Sequence, residues 1–408
     1  MKVAFLVNDL QLAGGVGVVV KHASLLRELH GFDAELVLAR HGEHLHWGYE
    51  ELESVPVRTL DEARRRRYDV AVATWWQTTA VLFELDALRY AYFVQSLEDR
   101  FYEPQHAVYS FDARKTFDLP VAFLTEASWI AQTLRALRPD APCFYVRNGI
   151  DKTVFAPLET IAPRLEGPLR VLVEGHANVW FKGVPDALAA AAAMREPRVV
   201  TAVTPGPAVE GADRVVGPLT PREMADAYAE TDVVLKLSRV EGMYGPPLEG
   251  FHRGATCVTT PVTGHDEYVV HGWNGLLVDW DDIDGTARAL DLLARDRRLL
   301  HFLRANALAT ARAWPGWEQS SQFMALALQS LARRPAVAAR SRAEALQRVR
   351  VDAYGRSVTA SAGPPPTERK AELLERLWAN RCGALLLRLY GSPVIHRPLR
   401  GLVRRLIR

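Results

Sequence analysis

The sequence predicts an α/β protein made of two doubly wound parallel-sheet halves, and three observations lead there. Short apolar runs alternate with helix-length stretches from Met1 to Val146, and the alternation resumes at Leu169. The runs are nearly continuous in apolar residues, as in strands covered on both faces. Between the two series, Pro157, Pro163, Gly167 and Pro168 mark residues 157–168 as a linker.

The bulk properties set bounds. With 408 residues the chain has room for two or three domains with full cores. Its 49% hydrophobic and 24% charged residues are those of a globular protein. A formal net charge of +2 gives no reason to expect nucleic acid as a partner. Cys143, Cys257 and Cys382 are scattered without metal-ligand spacing, which fits a reduced, cytoplasmic setting. No run approaches the roughly 20 apolar positions of a membrane span. Met1 opens directly into a strand pattern rather than a signal peptide.

In the first half, Met1 to Val7 reads as a buried strand. The loop Ala13-Gly14-Gly15-Val16-Gly17 follows, then a helical pattern through Leu29. Strand, glycine loop and helix form an arrangement that lets a phosphate approach the backbone. The dinucleotide fingerprint fails, since Val20 takes the third glycine position, and the P-loop pattern lacks its Gly-Lys-Ser/Thr. Further strands are expected at Glu35 to Leu38, Asp69 to Thr74, Tyr90 to Gln95, Val121 to Leu124 and Cys143 to Val146. The run Arg64 to Arg67 reads as a solvated helix end. Thr125 to Trp129 enters a capped helix, and Asn148-Gly149 has turn chemistry.

The second half opens with the strand Leu169 to Glu174 and a loop that reaches Lys182-Gly183. An alanine-rich helix follows, then strands at Val199 to Val203 and Arg214 to Gly217, and a capped helix start at Thr220 to Glu223. The most informative stretch runs from Asp232 to Gly275. It begins with the apolar strand Asp232 to Leu237, turns at Ser238 to Val240, and presents Glu241. Pro246-Pro247 suits the first turn of a helix, where a missing N–H costs nothing. Glu249 lies inside that helix, and the strand Ala255 to Val258 follows the turn at Gly254. Physically this is a pocket at the carboxyl ends of parallel strands, where a helix N-terminus offers free N–H groups to an anion. Two carboxylates beside it can accept hydrogen bonds from sugar hydroxyls, so a diphosphate with a sugar on each side would fit.

Asp279-Trp280-Asp281 has the Asp-x-Asp spacing of metal-dependent sugar transferases, but it lies between a strand and a helix and reads as capping. No metal ligand set is therefore expected. Asp282 to Leu331 is helical throughout in its pattern. Arg333 to Ser361 is polar and arginine-rich, and Gly363 to Pro366 is a stiff linker. Thr367 to Arg408 offers an amphipathic helix with Leu373, Leu374, Leu377 and Trp378 on one side. Its basic end, with Arg397, Arg400, Arg404, Arg405 and Arg408, suggests peripheral docking at the inner face of a membrane. Packing of this tail on the body or on a second subunit is the alternative.

The stretch S-R-V-E-G-M-Y-G-P-P-L-E-G, with Glu241 and Glu249 eight positions apart, resembles the signature of family 4 retaining glycosyltransferases of the GT-B fold. The blocks G-A-T-C-V-T-T-P-V-T-G-H-D-E and G-W-N-G-L-L-V-D, in the same order, match the rest of that family's second domain. The resemblance implies two Rossmann-like lobes facing a cleft: an acceptor lobe (1–158) and a donor lobe (169–312). Residues 313–332 would cross back to the first lobe, ahead of a helical, basic extension (333–408). It implies a nucleoside-diphosphate sugar as donor, no cofactor or metal, and transfer of a hexose or 6-deoxyhexose to a glycan, lipid-linked or small-molecule acceptor. Gly14 and Gly15 match the family's loop facing the donor diphosphate. Lys182 matches the lysine on the donor phosphates, and His176 stands where the family has arginine. Glu249 would bind the ribose. Glu241 would hold the sugar hydroxyls together with the backbone N–H groups of Met243, Tyr244 and Gly245, with Met243-Tyr244 in place of the commoner Phe-Gly. The base would rest at Thr204-Pro205-Gly206. In the first lobe, Tyr92 to Tyr102 resembles the Y-F-V-Q-D-x-E-x-x-F-Y block of rhamnan-synthesis rhamnosyltransferases, with Ser96 for Asp. Gln95 and Glu98 are its candidates for acceptor contacts. The alternatives are a non-catalytic partner or sugar-binding protein of the same fold, motivated by His176 and Ser96, and a nucleotide-sugar epimerase or hydrolase.

Overall fold

A computed structural model describes residues 1–10, 14–39, 50–204 and 209–360. The chain divides into two compact units, Met1–Gln347 and Arg348–Arg408. The first unit contains two parallel sheets. One comprises β1 (Lys2–Val7), β2 (Asp33–Leu38), β3 (Val57–Thr59), β4 (Arg67–Ala73), β5 (Asp86–Val94), β6 (Ala122–Thr125) and β7 (Cys143–Tyr145). The other comprises β8 (Leu169–Glu174), β9 (Arg198–Val203), β10 (Arg214–Val216), β11 (Val233–Lys236), β12 (Thr256–Thr259) and β13 (Gly275–Leu277). The strand orders are β3-β2-β1-β4-β5-β6-β7 and β10-β9-β8-β11-β12-β13. Each order reverses beside its own first strand, at β1/β4 and at β8/β11. A crevice opens at such a switch point because successive crossovers leave it in opposite directions.

Burial on both faces explains why these strands are legible as apolar runs. In β1, Val3, Phe5 and Val7 enter a core with Val19, Val20 and Leu26 of the helix Gly14–His30. In the second lobe, Val233 and Leu235 of β11 join one core with Leu188 and Leu290, while Val234 joins another with Phe251 and Tyr268. The period of two places the faces of one strand in different cores. β3 escapes this logic, because three partly exposed residues at a sheet edge leave no apolar run to read.

Several expectations need correction. The helix begins at Gly14, so Gly14 and Gly15 form its first turn rather than a loop; residues 11–13, including Ala13, lie outside the described residues. The segment 282–331 is three helices, Ile283–Arg295, Arg297–Ala313 and Trp317–Ala332. Asp296 breaks the first pair, its Oδ1 accepting from the Leu299 N–H at 2.9 Å. Asp282 is the residue that caps, accepting from the Gly285 N–H at 2.7 Å. Asp281, at φ 61°, instead pairs with Arg239. The Arg64 to Arg67 run is partly committed to ion pairs, with Arg64 on Asp61 and Glu84 and Arg66 3.2 Å from Glu35.

The helix Trp317–Ala332 crosses from the second lobe to the first, where Met324, Ala325, Ala327, Leu328 and Leu331 belong to the same core as β1. The following chain stays on that lobe, with the Val337 N–H donating to Leu88 O at 2.9 Å and Arg342 Nε to Phe83 O at 3.1 Å. A helix, Ala339–Ala360, occupies most of the arginine-rich stretch. The proposed membrane-docking segment, Thr367 to Arg408, lies outside the described residues. Among the described residues no helix is long and apolar enough to cross a membrane.

Candidate functional site

The second lobe gathers five charged side chains at the carboxyl ends of β8 and β11. Glu174 is the last residue of β8 and Lys236 the last of β11. Lys182 precedes Gly183, whose backbone sits at φ 63° with ψ 22°. A Cβ built on Gly183 would lie 2.1 Å from Leu237 O. Only glycine allows that conformation and that approach, and together they aim Lys182 at the end of β11. Lys182 Nζ lies 3.0 Å from both carboxylate oxygens of Glu241.

Lys236 is buried, and its ammonium donates to Glu174 Oε2 at 2.7 Å and Glu174 O at 3.2 Å. It also lies 3.8 Å from Glu241 Oε1. Burial works against the charged lysine, but Glu174 and Glu241 outweigh it and hold its pKa above the usual lysine value. Burial acts on Glu174 too, yet Lys236 and Lys182 keep its carboxyl below the ordinary glutamate value. On Glu249, of the helix Gly245–His252, the Lys236 charge is only a lesser offset. Desolvation and the Glu174 charge push the Glu249 carboxyl up to about 8, with the Tyr228 hydroxyl nearby as a partial offset.

The loop after Glu241 touches the first lobe. A Cβ on Gly242 would fall 1.8 Å from Gln95 O, so the two backbones meet where any side chain would block them. The Met243 N–H donates to Glu126 Oε1 at 3.3 Å, and Trp129 Nε1 donates to Gly242 O at 3.1 Å. Glu126 also accepts from Asn148 Nδ2 at 2.6 Å, and burial pushes its carboxyl up to about 8. Farther along the cleft, Phe181 stacks on Phe101 with centroids 5.0 Å apart, and Trp180 Nε1 donates to Phe101 O at 3.1 Å. Glu267 accepts from the Ser128 N–H and, at 2.8 Å, from the Tyr145 hydroxyl.

The structure thus brings Lys182, Glu241 and Glu249 to one strand-end cluster, with Gly245 opening the helix beside it. Across the cleft Gly15 approaches Gln95, where a Cβ would lie 3.1 Å from Gln95 Oε1. That oxygen is buried and has no partner among the described residues. Two expected residues, His176 and Glu98, are placed differently, while of Tyr244 only the backbone N–H is expected to meet a ligand. Tyr244 is fully buried, its hydroxyl 2.7 Å from Thr259 Oγ1, so its ring is core and only its backbone N–H is left for a ligand. His176 is exposed, and its Nδ1 accepts from the Asn178 N–H at 3.3 Å, a turn contact rather than a cluster contact. Glu98 is 1% exposed, and its Oε2 accepts from the Trp76 N–H at 2.6 Å and the Tyr92 hydroxyl at 2.7 Å. Its carboxyl points into the lobe, which removes it as an acceptor contact and makes it a strut between β5 and the Trp76–Thr78 turn. Of the base-resting segment, Pro205 and Gly206 lie outside the described residues.

Sequence reasoning passed over Glu174, Lys236 and Glu126. The available signal was a charged residue closing an otherwise apolar strand, at Glu174 and at Lys236. Glu126 gave none, since a carboxylate after a strand end looks like an ordinary turn residue.

Residues 168–296 match the family model described as glycosyl transferases group 1. The sequence matches no curated protein. Among solved structures, HepE of Anabaena in complex with UDP and glucose superposes with a TM-score of 0.65 at 16% identity, covering 81% of this chain and 100% of that one. Sucrose-phosphate synthase from Thermosynechococcus elongatus gives 0.64 at 14% identity, with 81% and 98% covered. The lipopolysaccharide outer core galactosyltransferase WaaB, in its apo form, gives 0.60 at 15% identity, with 81% and 99% covered. The chain has the GT-B fold, and its second lobe is the part that matches the group 1 glycosyl transferases.

Proposed function

We propose that the protein is a glycosyltransferase of the family 4 type. In this reading it moves a hexose or 6-deoxyhexose, rhamnose among them, from a nucleoside-diphosphate sugar to a glycan, lipid-linked or small-molecule acceptor, with retention of configuration. The observation that carries this reading is the convergence of Lys182, Glu241 and Glu249 beside the amino end of the Gly245–His252 helix. The group 1 match over the same lobe and the UDP and glucose in the HepE structure support it.

The parts divide the work by chemistry. Glu249 would pair with the ribose hydroxyls. Lys182 would leave Glu241 for the diphosphate, joined by the Gly245 N–H at the helix start, where Pro246 and Pro247 bring none. Positive charge there stabilises the leaving group as the glycosidic bond breaks, so the reading needs no metal ion. Glu241, released from Lys182, would accept from the sugar hydroxyls. The acceptor would enter from the first lobe past Gln95. The C1–O bond to phosphate breaks, the acceptor oxygen bonds to C1 on the same face, and the departing phosphate oxygen takes the acceptor's proton.

A thermal-shift and saturation-transfer NMR series with UDP-, GDP- and dTDP-sugars tests the site, with Glu249→Ala as control. One donor should bind to the wild type and be lost by the variant. If none binds, the activity is refuted and a non-catalytic role for the fold takes its place.

A further inference from the structure

Within the charged cluster, Lys236 is buried below the reach of any ligand. Its side chain is 1% exposed, against 28% for Lys182. β11 reads Val233-Val234-Leu235-Lys236, and Lys236 occupies the position where a fourth apolar residue would complete the strand. Burying an ammonium is costly unless its protons are met. Two are met here by Glu174 Oε2 at 2.7 Å and Glu174 O at 3.2 Å, and the charge of Glu241 lies close by, with Oε1 at 3.8 Å. Both carboxylates, Glu174 and Glu241, face the candidate donor site.

Glu241 is thereby shared between two unequal lysines. Lys182 holds both of its oxygens at 3.0 Å from a half-exposed position on a single 3-10 turn. Lys236 is locked in the strand. A diphosphate can recruit Lys182 only by taking it from Glu241. When that happens, Glu174 and Glu241 are left facing one site with Lys236 alone between them.

We propose that Lys236 is a positioning residue: the resident counter-charge that keeps Glu241 and Glu174 in place for the donor sugar once Lys182 has moved to the phosphates. It acts through those carboxylates and touches no substrate. The inference rests on the donor-site reading above, and its tests separate the two.

Calorimetry would compare UDP with UDP-glucose, GDP with GDP-mannose and dTDP with dTDP-rhamnose on wild type, Lys182→Met and Lys236→Met. The expected result is that Lys236→Met binds the free nucleotide within about threefold of wild type. It should lose about tenfold or more of the extra affinity for the sugar conjugate, the scale of one charge-assisted hydrogen bond. Lys182→Met should lose both. The proposal is overturned if Lys236→Met keeps the wild-type preference for the conjugate, or loses the free nucleotide as fully as Lys182→Met does.

A second measurement needs no nucleotide. In a Lys182→Met background, Lys236→Met, Glu241→Gln and the two together form a thermal-denaturation cycle. Coupling means that Glu241→Gln recovers part of the Tm lost in Lys236→Met, because the stranded carboxylate is gone. Strict additivity overturns the proposal. Should Lys236→Met not fold, Lys236→Gln takes its place in both measurements. If the wild type binds no nucleotide, the donor-site reading falls, while the cycle still decides whether Lys236 holds Glu241.

Discussion

Replacing Gly183 by alanine tests whether the turn before the alanine-rich helix exists to place Lys182. Two costs can be worked from the geometry. At φ 63° an L-residue is in the left-handed region, which costs roughly 1–2 kcal/mol for alanine. The added Cβ would also lie 2.1 Å from Leu237 O and 2.7 Å from Leu237 C. Both are backbone atoms of the segment leaving β11, so no flexible side chain can swing aside. Overpacking of this kind typically adds about 1–3 kcal/mol. The sum is about 2–5 kcal/mol, which for a lobe of this size lowers Tm by at least about 5 °C. Relief of the clash must move the turn by about 1 Å, a misplacement that typically costs about a hundredfold in rate. Differential scanning fluorimetry and initial-rate sugar transfer read the two effects. Gly217→Ala is the control, because its added methyl meets nothing within 4 Å. A Gly183→Ala protein that melts with the control and transfers sugar within about threefold of wild type would refute the reasoning.

Three further outcomes are expected. Asp232 accepts from Arg164 Nη1 at 2.6 Å and from the Arg170 N–H at 3.0 Å, and Arg304 lies 4.0 Å away at 3% exposure. Asp232→Ala strands that buried arginine and should cost about 3–5 kcal/mol in urea unfolding. Burial opposes the Asp232 charge, but the Arg170 and Arg164 hydrogen bonds outweigh it and hold its pKa below the ordinary value. Its contribution is therefore complete above about pH 4 and fades as pH falls through the lower folded value, so the penalty should shrink in acid; a pH-independent penalty counts against the account. Glu98 has the opposite sign: burial pushes it up to about 8 from an ordinary 4.5, so the folded state keeps a proton that the unfolded state has lost. Its presence should make stability fall as pH rises from 4.5 to 8, and Glu98→Gln should flatten that slope in urea midpoints, whereas an unchanged slope contradicts the buried position. Trp129→Phe deletes the donor to Gly242 O, and losing about 0.5–1.5 kcal/mol of closure should raise the radius of gyration in small-angle scattering; identical profiles would mean that this contact does not hold the cleft shut.

The legible parts of the molecule are those where one physical demand writes one pattern. Parallel strands covered on both faces leave continuous apolar runs, so the alternation of both halves could be read from Val3 to Val146 and from Leu169 onward. Pro246-Pro247 announced the helix start at Gly245, because proline costs nothing there and much elsewhere. The spacing of Glu241 and Glu249 survived because a turn and a helix fix it locally. Direction was not legible. Glu98 and Gln95 follow the same strand, yet Glu98 turns inward to the Trp76 N–H while Gln95 keeps an edge on the cleft. Tyr244 could equally have lined a sugar pocket, and only the packed second lobe decides that its ring lies against Thr259. Lys236 was hidden for a related reason. An ammonium becomes tolerable in a buried strand only when Glu174 and Glu241 arrive beside it, from 62 positions earlier and across a turn.

The helix Trp317–Ala332 also constrains the order in which the protein can mature. Chains emerge from synthesis amino end first, and domains generally fold as they appear. The first lobe is complete in its strands by Tyr145, yet part of its apolar interior is supplied by Met324, Ala325, Ala327, Leu328 and Leu331. Until those residues are made, the lobe must wait with an open seam along β1 and the helix Gly14–His30 while the whole second sheet is being translated. The second lobe has no such debt and can close as soon as its own helices arrive. A nascent chain halted near residue 316 should thus hold an unfinished first lobe that is open to proteases or chaperones, and release of the final turns should seal it.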